Sequence, residues 1–197
     1  MIITIGREHG SGGHEIARAL AEELGYACYD KEIVDHAAES SHFSREVLDS
    51  FDEKRVSPYV VPVPNFVGMG ENFRLNMQVA SAQFEAIRGL AERGDSIFVG
   101  RCADYVLRNR EDLLRVFIQA SEKSRIREMM KRRDLSEEQA RKLIRQVDKD
   151  RSSYYRYYTD QDWGDRQYYD LCINSDKVGV QGAVQIIKAC LKSMEAE

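Results

Sequence analysis

The first seventeen residues contain the feature that most limits what this chain can fold into. A short β-branched run, residues 2–5, enters a glycine-rich turn, Gly6 to Gly13, which opens into a segment with apolar residues at helical spacing. Glycines let the main chain approach a phosphate closely, and the backbone N–H groups at a helix start favour anions. The pattern therefore predicts a nucleotide pocket, with a plain strand-to-helix turn as the alternative.

The glycine turn lacks one part of the standard phosphate-loop pattern. That pattern, G-x-x-x-x-G-K-[ST], puts a lysine beside a hydroxyl residue at the helix start. Here Gly13 stands where the lysine belongs, and His14 and Glu15 follow it. The positive charge must come from elsewhere, and the candidates are Arg7, Lys31 and the arginines of residues 123–156.

Length and cysteine content favour a single cytoplasmic domain. The chain has 197 residues, which is enough to bury a sizeable core. It contains no apolar run of 18 residues and no signal-peptide pattern, so we expect neither secretion nor a membrane span. The cysteines form no C-x-x-C pair, and we predict reduced core residues at all four positions: Cys28, Cys102, Cys172 and Cys190.

Charge is unevenly distributed along the chain. The net charge is −4, which argues against nucleic acid as a main partner. Residues 123–156 contain twelve Lys and Arg against six Asp and Glu, a local charge of +6 that leaves −10 for the rest. A solvated helical face is one explanation. We favour a cover for anionic phosphates, because the chain already has a phosphate-type loop.

Periodicity predicts alternating strands and helices. We expect strands at 2–6, 26–29, 95–99, 114–119 and 169–174. Helices are expected at 14–24, 31–39, from 44, 72–93, 103–108, 121–133, 136–158 and 180–194, with a capping box at Ser136. The proline-rich stretch 56–70 should be an extended connection. This alternation is typical of a parallel sheet covered by helices on both faces.

Ligands of such open sheets bind beyond the C-terminal ends of the strands. Four groups of residues follow strands in this chain. We expect them to share one cleft: Gly6–Gly13, Asp30 with Lys31, Gly100–Asp104 and Gln119–Glu122.

Longer motifs extend these observations over nearly the whole chain. After the glycine turn come Tyr29-Asp30-Lys31, the run Val99-Gly100-Arg101-Cys102-Ala103-Asp104-Tyr105, the run from Asp148 to Thr159, and Asp162-Trp163-Gly164-Asp165. Together they resemble the cytidylate kinase-like family, a branch of the nucleoside monophosphate kinases within the P-loop fold. The last two motifs are long and unlikely to recur by chance, so they are stronger evidence for the resemblance than the glycine turn is.

The resemblance implies an α/β fold: a P-loop kinase with a three-layer α/β/α parallel sheet, a helical acceptor-binding insertion and a helical lid. A single domain, 1–197, would have its core in 1–29, 93–122 and 168–197, its insertion in 30–92 and its lid in 123–167. The implied reaction is phosphoryl transfer from ATP, with Mg²⁺, to CMP, dCMP or a similar acceptor. The implied partner is this small nucleotide, with neither nucleic acid nor membrane involved; a homodimer stays open.

The resemblance also assigns roles. The donor phosphates would be held by the turn and by lid arginines: Gly6, His9, Gly10, Ser11, Gly12, Gly13, His14, Arg125 and Arg127. Ser11 would also touch Mg²⁺. The transferred phosphoryl group would be neutralised by Arg7, Arg101, Arg132 and Arg151. The acceptor would be held by Asp30, Lys31, Arg101, Asp104 and Asp148.

Several of these residues have simpler explanations. Asp30 is equally suited to be the N-cap of the helix that follows it. His9, His14 and several lid arginines are equally suited to face solvent. Of the four tyrosines between 154 and 158, two should pack inward and two lie near the surface, and Trp163 is expected to anchor the lid to the core.

Two departures from the family pattern leave the function open. Gly13 replaces the loop lysine, and Arg7 is our candidate for its role. The insertion also shows no clear match to the base-reading residues of ordinary cytidylate kinases, so CMP is the least supported part of the assignment. A nucleotide-binding regulatory protein with little catalysis, or a kinase of another small acceptor, remains an alternative.

Overall fold

The structure, a computed structural model, describes residues 1–54 and 69–194, and of residues 69–73 the backbone only. Its sheet is parallel throughout and has five strands in the order β2-β3-β1-β4-β5. The strands are β1 (Ile2–Arg7), β2 (Ala27–Tyr29), β3 (Ser96–Val99), β4 (Leu113–Gln119) and β5 (Leu171–Asn174). All five lie close to the positions predicted from periodicity.

Helices separate the strands along the chain. They are α1 (Gly13–Leu24), α2 (Lys31–Ser40), α3 (Arg45–Phe51), α4 (Met69–Ala91), α5 (Ala103–Val106), α6 (Glu122–Arg133), α7 (Glu137–Thr159) and α8 (Ser175–Met194), with a 3₁₀ turn at Arg166–Tyr168. Helix α8 is interrupted at Gly179, where φ is 68°.

The two faces of the sheet bury two separate apolar clusters. On one face, Ile16 and Leu20 of α1 and Val184 and Ile187 of α8 pack against strand residues that include Ile5. On the other face, residues of α2, α4 and α5 pack against Ile2, Phe98 and Leu113. Because neighbouring strand residues point to opposite faces, both clusters draw on the same strands. The predicted three-layer α/β/α arrangement is confirmed.

Strand register brings the chain's turns together. Ile5 of β1 lies opposite Val99 of β3 and Val116 of β4. The turns after β1 and β3 therefore leave the sheet at the same level. This places Arg7 and Arg101 at one edge.

Helices α6 and α7 form a hairpin with a small core of its own, Ile126, Met129, Ala140 and Ile144. The capping box predicted at Ser136 is present, because Ser136 and Gln139 cap each other reciprocally. At its far end α7 packs through Tyr154 and Tyr155, which are buried, while Tyr157 and Tyr158 are half-buried. Trp163 packs edge-on against Phe117 of β4, with ring centroids 5.4 Å apart.

The structure corrects several expectations. Asp30 precedes α2, but its side chain makes no capping hydrogen bond. Cys172 is exposed and Cys28 and Cys190 are half-buried, so only Cys102 is a core residue among the four. Helix α4 starts at residue 69, earlier than predicted. Helix α8 begins at residue 175, but the break at Gly179 means that its second part starts at residue 180, as predicted. The rest of the expected extended connection, residues 56–68, lies outside the described residues.

No helix in the described part of the chain combines the length and apolar character that a membrane crossing requires.

Candidate functional site

A cleft of about 610 Å³ opens beyond the C-terminal ends of the strands. It is walled by the glycine turn, the start of α2, the end of α3, the turn after β3, and α6 and α7. Its lining residues are Arg7, Glu8, His9, Gly10, Gly12, Gly13, His14, Glu15, Asp30, Lys31, Asp49, Asp52, Glu53, Arg101, Met129, Arg132, Arg133 and Arg151. Three of the four predicted strand ends meet here. The fourth, Gln119–Glu122, contributes Ala120 to a separate groove.

The glycine turn has the backbone geometry of an anion cradle. Gly10 and Gly12 adopt φ values of 81° and 79°, in the left-handed region that glycine tolerates. The N-cap residue of α1 is Gly12, which makes no side-chain cap, so within the described residues the first N–H groups of α1 are not satisfied by a cap and can face an anion. Ser11 is buried, and its Oγ donates to the Glu8 carbonyl at 2.9 Å. The Ser11 hydroxyl is therefore engaged within the turn.

Glu53 occupies the centre of a cluster of arginines on the cleft floor. It accepts hydrogen bonds from both terminal nitrogens of Arg7, at 2.6 and 2.9 Å, and from Nε of Arg151 at 3.1 Å. It also accepts from the backbone N–H of Arg101 at 3.0 Å. Burial opposes ionisation of Glu53, but Arg7, Arg151 and Arg101 hold its pKa well below the ordinary value. Glu53 is therefore a carboxylate at the centre of the cleft.

Arg101 is a buried residue with nearly all its donors engaged. Its Nε and Nη2 donate to the two carboxylate oxygens of Asp52, at 2.9 and 2.7 Å. Its Nη1 donates to Asp30 at 2.8 Å and to the Val99 carbonyl at 3.0 Å. Burial alone would raise the pKa of Asp30, but the Arg101 guanidinium lowers it. This pairing explains why Asp30 does not cap α2.

The α6–α7 hairpin is fastened to the glycine turn. Asp148 of α7 accepts a hydrogen bond from the backbone N–H of His9 at 2.7 Å, and it also pairs with Arg125 of α6. Arg125 reaches the His9 carbonyl at 3.3 Å and lies 3.5 Å from Glu8. The interactions join three separate chain segments at the mouth of the cleft.

The other predicted cations differ in their surroundings. Arg132 lines the cleft and pairs with Glu15 and Glu128. Lys31 and Arg133 line the cleft with no carboxylate partner among the residues that the structure describes. Arg127 does not line the cleft; it is exposed and lies near Asp176.

The two histidines of the turn have different environments. His14 pairs through Nδ1 with Asp30 at 2.8 Å. His9 is half-buried, and its Nε2 has no hydrogen-bond partner within the described part of the chain. Burial and the nearby charges of Arg151, Arg133, Arg7 and Arg125 lower the pKa of His9 to about 4. His9 is therefore neutral at physiological pH.

Asp104 lies apart from the cleft. It is 7% exposed and lines a small cavity of about 20 Å³, whose wall also includes Arg7 and Arg101. It accepts a hydrogen bond from the Tyr155 hydroxyl at 2.8 Å. Burial raises the pKa of Asp104, although this hydrogen bond partly offsets the effect. Asp104 thus connects the turn after β3 to α7.

A second groove, of about 190 Å³, lies on the opposite side of the glycine turn. It is lined by Gly10, Ser11, Gly12 and Glu15, by Ala120 before α6, and by residues of α6 and α8: Ser124, Glu128, Ser175, Asp176, Gly179 and Val180. Gly10, Gly12 and Glu15 border both the groove and the cleft.

Charge divides the cleft into two sides. The side of α2 and α3 has four carboxylates and two cations: Asp30, Asp49, Asp52, Glu53, Lys31 and Arg101. The side of the glycine turn, α6 and α7 has two carboxylates and four arginines: Glu8, Glu15, Arg7, Arg132, Arg133 and Arg151. Polyphosphate therefore suits the second side, which also holds the uncapped start of α1.

Sequence reasoning missed Asp52 and Glu53. They follow α3 directly and belong to none of the motifs quoted above. A general requirement could have indicated them, because buried arginines need carboxylate partners. Such a requirement does not say which carboxylate, since Glu53 and Arg7 are 46 residues apart.

The described residues contain no cluster of three or more His, Cys, Asp or Glu that could hold a metal ion. A Mg²⁺ ion in a site of this kind is held mainly by phosphate oxygens and water, with one or two protein ligands. The residues present are compatible with a metal that arrives with a nucleotide.

Comparison with known proteins also identifies a kinase family. The model of the cytidylate kinase-like family matches residues 2–177. A cytidylate kinase of Methanopyrus kandleri is 26% identical over 200 residues, which cover 97% of this chain and 93% of that protein. An uncharacterised protein from Eubacterium ventriosum has a solved structure with a TM-score of 0.74 and 31% identity, covering 98% of both chains. A shikimate kinase from Bacteroides thetaiotaomicron shares the fold, with a TM-score of 0.58 and 13% identity over 98% of both chains.

Proposed function

The chain belongs to the cytidylate kinase-like family, and we propose that it transfers the γ-phosphoryl group of Mg-ATP to a small acceptor bound in the cleft. Family and fold support a phosphotransferase. Because its curated relatives are named cytidylate kinases, CMP or dCMP is the first acceptor to test.

The observation that carries this proposal is the meeting of the glycine turn with five arginines in one cleft. Phosphoryl transfer requires little covalent chemistry from the protein; it depends on positioning and on neutralising the charge of the transferred group. In the reaction, an acceptor oxygen bonds to the γ-phosphorus while the bond to the β–γ bridging oxygen breaks. ADP leaves. A phosphate acceptor attacks as its anion, whereas a hydroxyl acceptor releases its proton to water.

On the donor side, the turn supports binding of the ATP phosphates through Gly6, Gly10, Gly12, Gly13 and the uncapped start of α1. The second groove has the size and mixed polarity for the base of the nucleotide. Arg125, His9 and Asp148 would hold the lid against the turn. Arg127 lies nearer the groove than the cleft, which suits contact with the nucleoside part.

On the acceptor side, Asp30, Lys31 and Arg101 border the space that a nucleoside monophosphate would enter. Asp104 would act indirectly, by holding the turn that carries Arg101. We keep the assignment of 30–92 as the acceptor insertion and 123–167 as the lid as part of this proposal. A reduced cytoplasmic protein, either monomeric or homodimeric, is the proposed setting.

A specific observation favours a second candidate acceptor. Arg101 donates to Asp52, Asp30 and a backbone carbonyl, and the described acceptor side has two more carboxylates than cations. A phosphate dianion would face these carboxylates, whereas hydroxyl or amino groups would donate to them. A hydroxyl-bearing acceptor without a phosphate is therefore the alternative.

The test is ADP formation from Mg-ATP with CMP, dCMP, UMP and AMP, against cytidine and simple polyols, with an acceptor-free control. Turnover with CMP but not cytidine supports the first candidate, and turnover with an acceptor that lacks phosphate supports the second. If no acceptor raises ADP release while calorimetry still detects ATP binding, the kinase proposal falls in favour of a nucleotide-binding regulatory protein.

A further inference from the structure

Gly13 and Arg7 compete for one space. A Cβ atom built on Gly13 would lie 2.6 Å from Cβ of Arg7 and 3.0 Å from its Cγ. These distances are too short for non-bonded carbon atoms. Gly13 has no positive φ, so its backbone suits any residue. The requirement for glycine at position 13 is therefore one of space, and the Arg7 side chain creates it.

A second glycine makes room for the other end of Arg7. A Cβ on Gly100 would overlap Nη1 of Arg7 and Oε1 of Glu53. The Arg7 stem is thus enclosed by Gly13 and its guanidinium by Gly100, while Glu53 fixes the guanidinium plane with two hydrogen bonds. Small residues on two different elements fit this one side chain.

The guanidinium still has donors to offer. Arginine carries five N–H groups, and the pair with Glu53 uses two of them. Arg7 lines the cleft beside Gly10, Gly12 and Gly13, where the donor phosphates would lie. Glu53 therefore orients Arg7 without using all of its hydrogen-bonding capacity.

Building on the proposed function, we infer that Arg7 does the work of the missing loop lysine and that positions 7 and 13 are alternatives: a cation can occupy one only if the other is small. Glu53 is then a positioning residue, because it acts through Arg7. A charge that follows the transferred phosphoryl group is retained, but it enters the cleft from strand β1 instead of from helix α1.

A reciprocal exchange tests the inference. The variants are Arg7→Gly, Gly13→Lys, the double variant R7G/G13K, and R7G/G13A as the control that fills position 13 without a charge. Glycine is needed at position 7 because even an alanine Cβ would stay within 2.6 Å of a side chain at position 13. Turnover, the dissociation constant of Mg-ATP by calorimetry, and the melting temperature are measured for each.

We expect R7G to lower turnover about 100-fold, as loss of one charge-stabilising donor typically does. Gly13→Lys alone should lower both turnover and melting temperature, because the side chain collides with Arg7. R7G/G13K should recover at least about tenfold over R7G/G13A. Independently of activity, Gly13→Ala should lower the melting temperature in the presence of Arg7 and leave it unchanged in the R7G background.

The inference is overturned if R7G keeps wild-type turnover and ATP affinity, or if folded R7G/G13K is no better than R7G/G13A in either. It is also overturned if Gly13→Ala is harmless beside Arg7. A wild-type protein that binds ATP without turnover would refute the proposed kinase alone, since the exchange would still appear in ATP affinity. A protein that neither binds nor turns over ATP would refute both.

Discussion

Arg7 and Glu53 form a two-point ion pair between the end of β1 and the end of α3, with N–O distances of 2.6 and 2.9 Å. Glu53 also receives Nε of Arg151 from α7, and Arg151 donates to the Arg7 carbonyl at 3.1 Å. Strand β1, the end of α3 and helix α7 therefore meet at one carboxylate. A substitution that repositions Glu53 should therefore displace the guanidinium groups of both Arg7 and Arg151.

Replacing Glu53 with Gln should lower turnover about 10- to 100-fold, because an amide cannot hold two guanidinium groups and small misplacements of reacting groups are costly. Steady-state kinetics at saturating ATP measures the effect, and Glu53→Asp should recover part of it. Glu39→Gln is the matched control, because Glu39 lies on exposed α2 surface and its side chain is 78% exposed. A folded Glu53→Gln variant with wild-type kcat would contradict the role.

This cluster also marks the limit of what the sequence predicts. Strands, helices and the Ser136 capping box follow from local apolar spacing and local hydrogen bonding, so they were predictable. The partnership of Glu53 with Arg7 spans 46 residues, and no local pattern encodes it. Only the assembled sheet brings the two together.

Asp30 and Cys172 show the same limit at single residues. Asp30 has the right type and position for an N-cap, but a charge-assisted bond to Arg101 across 71 residues takes its carboxylate. Cys172 has apolar neighbours along the chain, yet it lies on β5, the strand at the end of the sheet, and its side chain is exposed. Tertiary context outweighed local preference in both cases.

Replacing Tyr155 with Phe should destabilise the protein by about 1–3 kcal/mol, because buried Asp104 loses its 2.8 Å donor. For a chain of this size each kcal/mol corresponds to about 2–4 °C in Tm, which thermal unfolding measures. Tyr168→Phe is the control, since the Tyr168 hydroxyl has no hydrogen-bond partner among the residues described. Equal melting temperatures for both variants would refute the proposed contribution of Tyr155.

His9 should make the fold sensitive to acid. The pKa of His9 is lowered from 6.5 to about 4 in the folded protein, so below pH 6.5 the unfolded chain takes up a proton that the folded chain resists. The stability that neutral His9 permits is complete above pH 6.5 and is lost as pH falls towards 4. Allowing for screening at a half-buried site, the loss between pH 7.5 and 5 should be about 1 kcal/mol.

Urea unfolding of wild type and His9→Asn at pH 7.5 and pH 5 measures that loss. Wild type should lose about 1 kcal/mol more than the variant over this interval. His42→Asn serves as the control, because His42 is exposed on the surface. Identical pH slopes for wild type and His9→Asn would show that His9 does not carry the effect.

Asp148 should govern how firmly the α6–α7 hairpin holds the glycine turn. Its carboxylate accepts the His9 N–H at 2.7 Å and pairs with Arg125, so Asp148→Asn keeps one acceptor oxygen but removes the charge that Arg125 faces. We expect KM for ATP to rise about tenfold with a smaller change in the acceptor's KM, since the loss of a charge-assisted contact of about 1.5 kcal/mol falls on the donor side. Amide hydrogen exchange at His9 should accelerate at the same time, because its N–H loses a charged acceptor.

Asp150→Asn is the control. Asp150 lies two residues further along α7, and its carboxylate contacts Gln146 instead of the glycine turn, so this variant should leave both measurements unchanged. If Asp148→Asn affects the two substrates equally and leaves exchange at His9 unaltered, the hairpin is held by other contacts and Asp148 has no special part in donor binding.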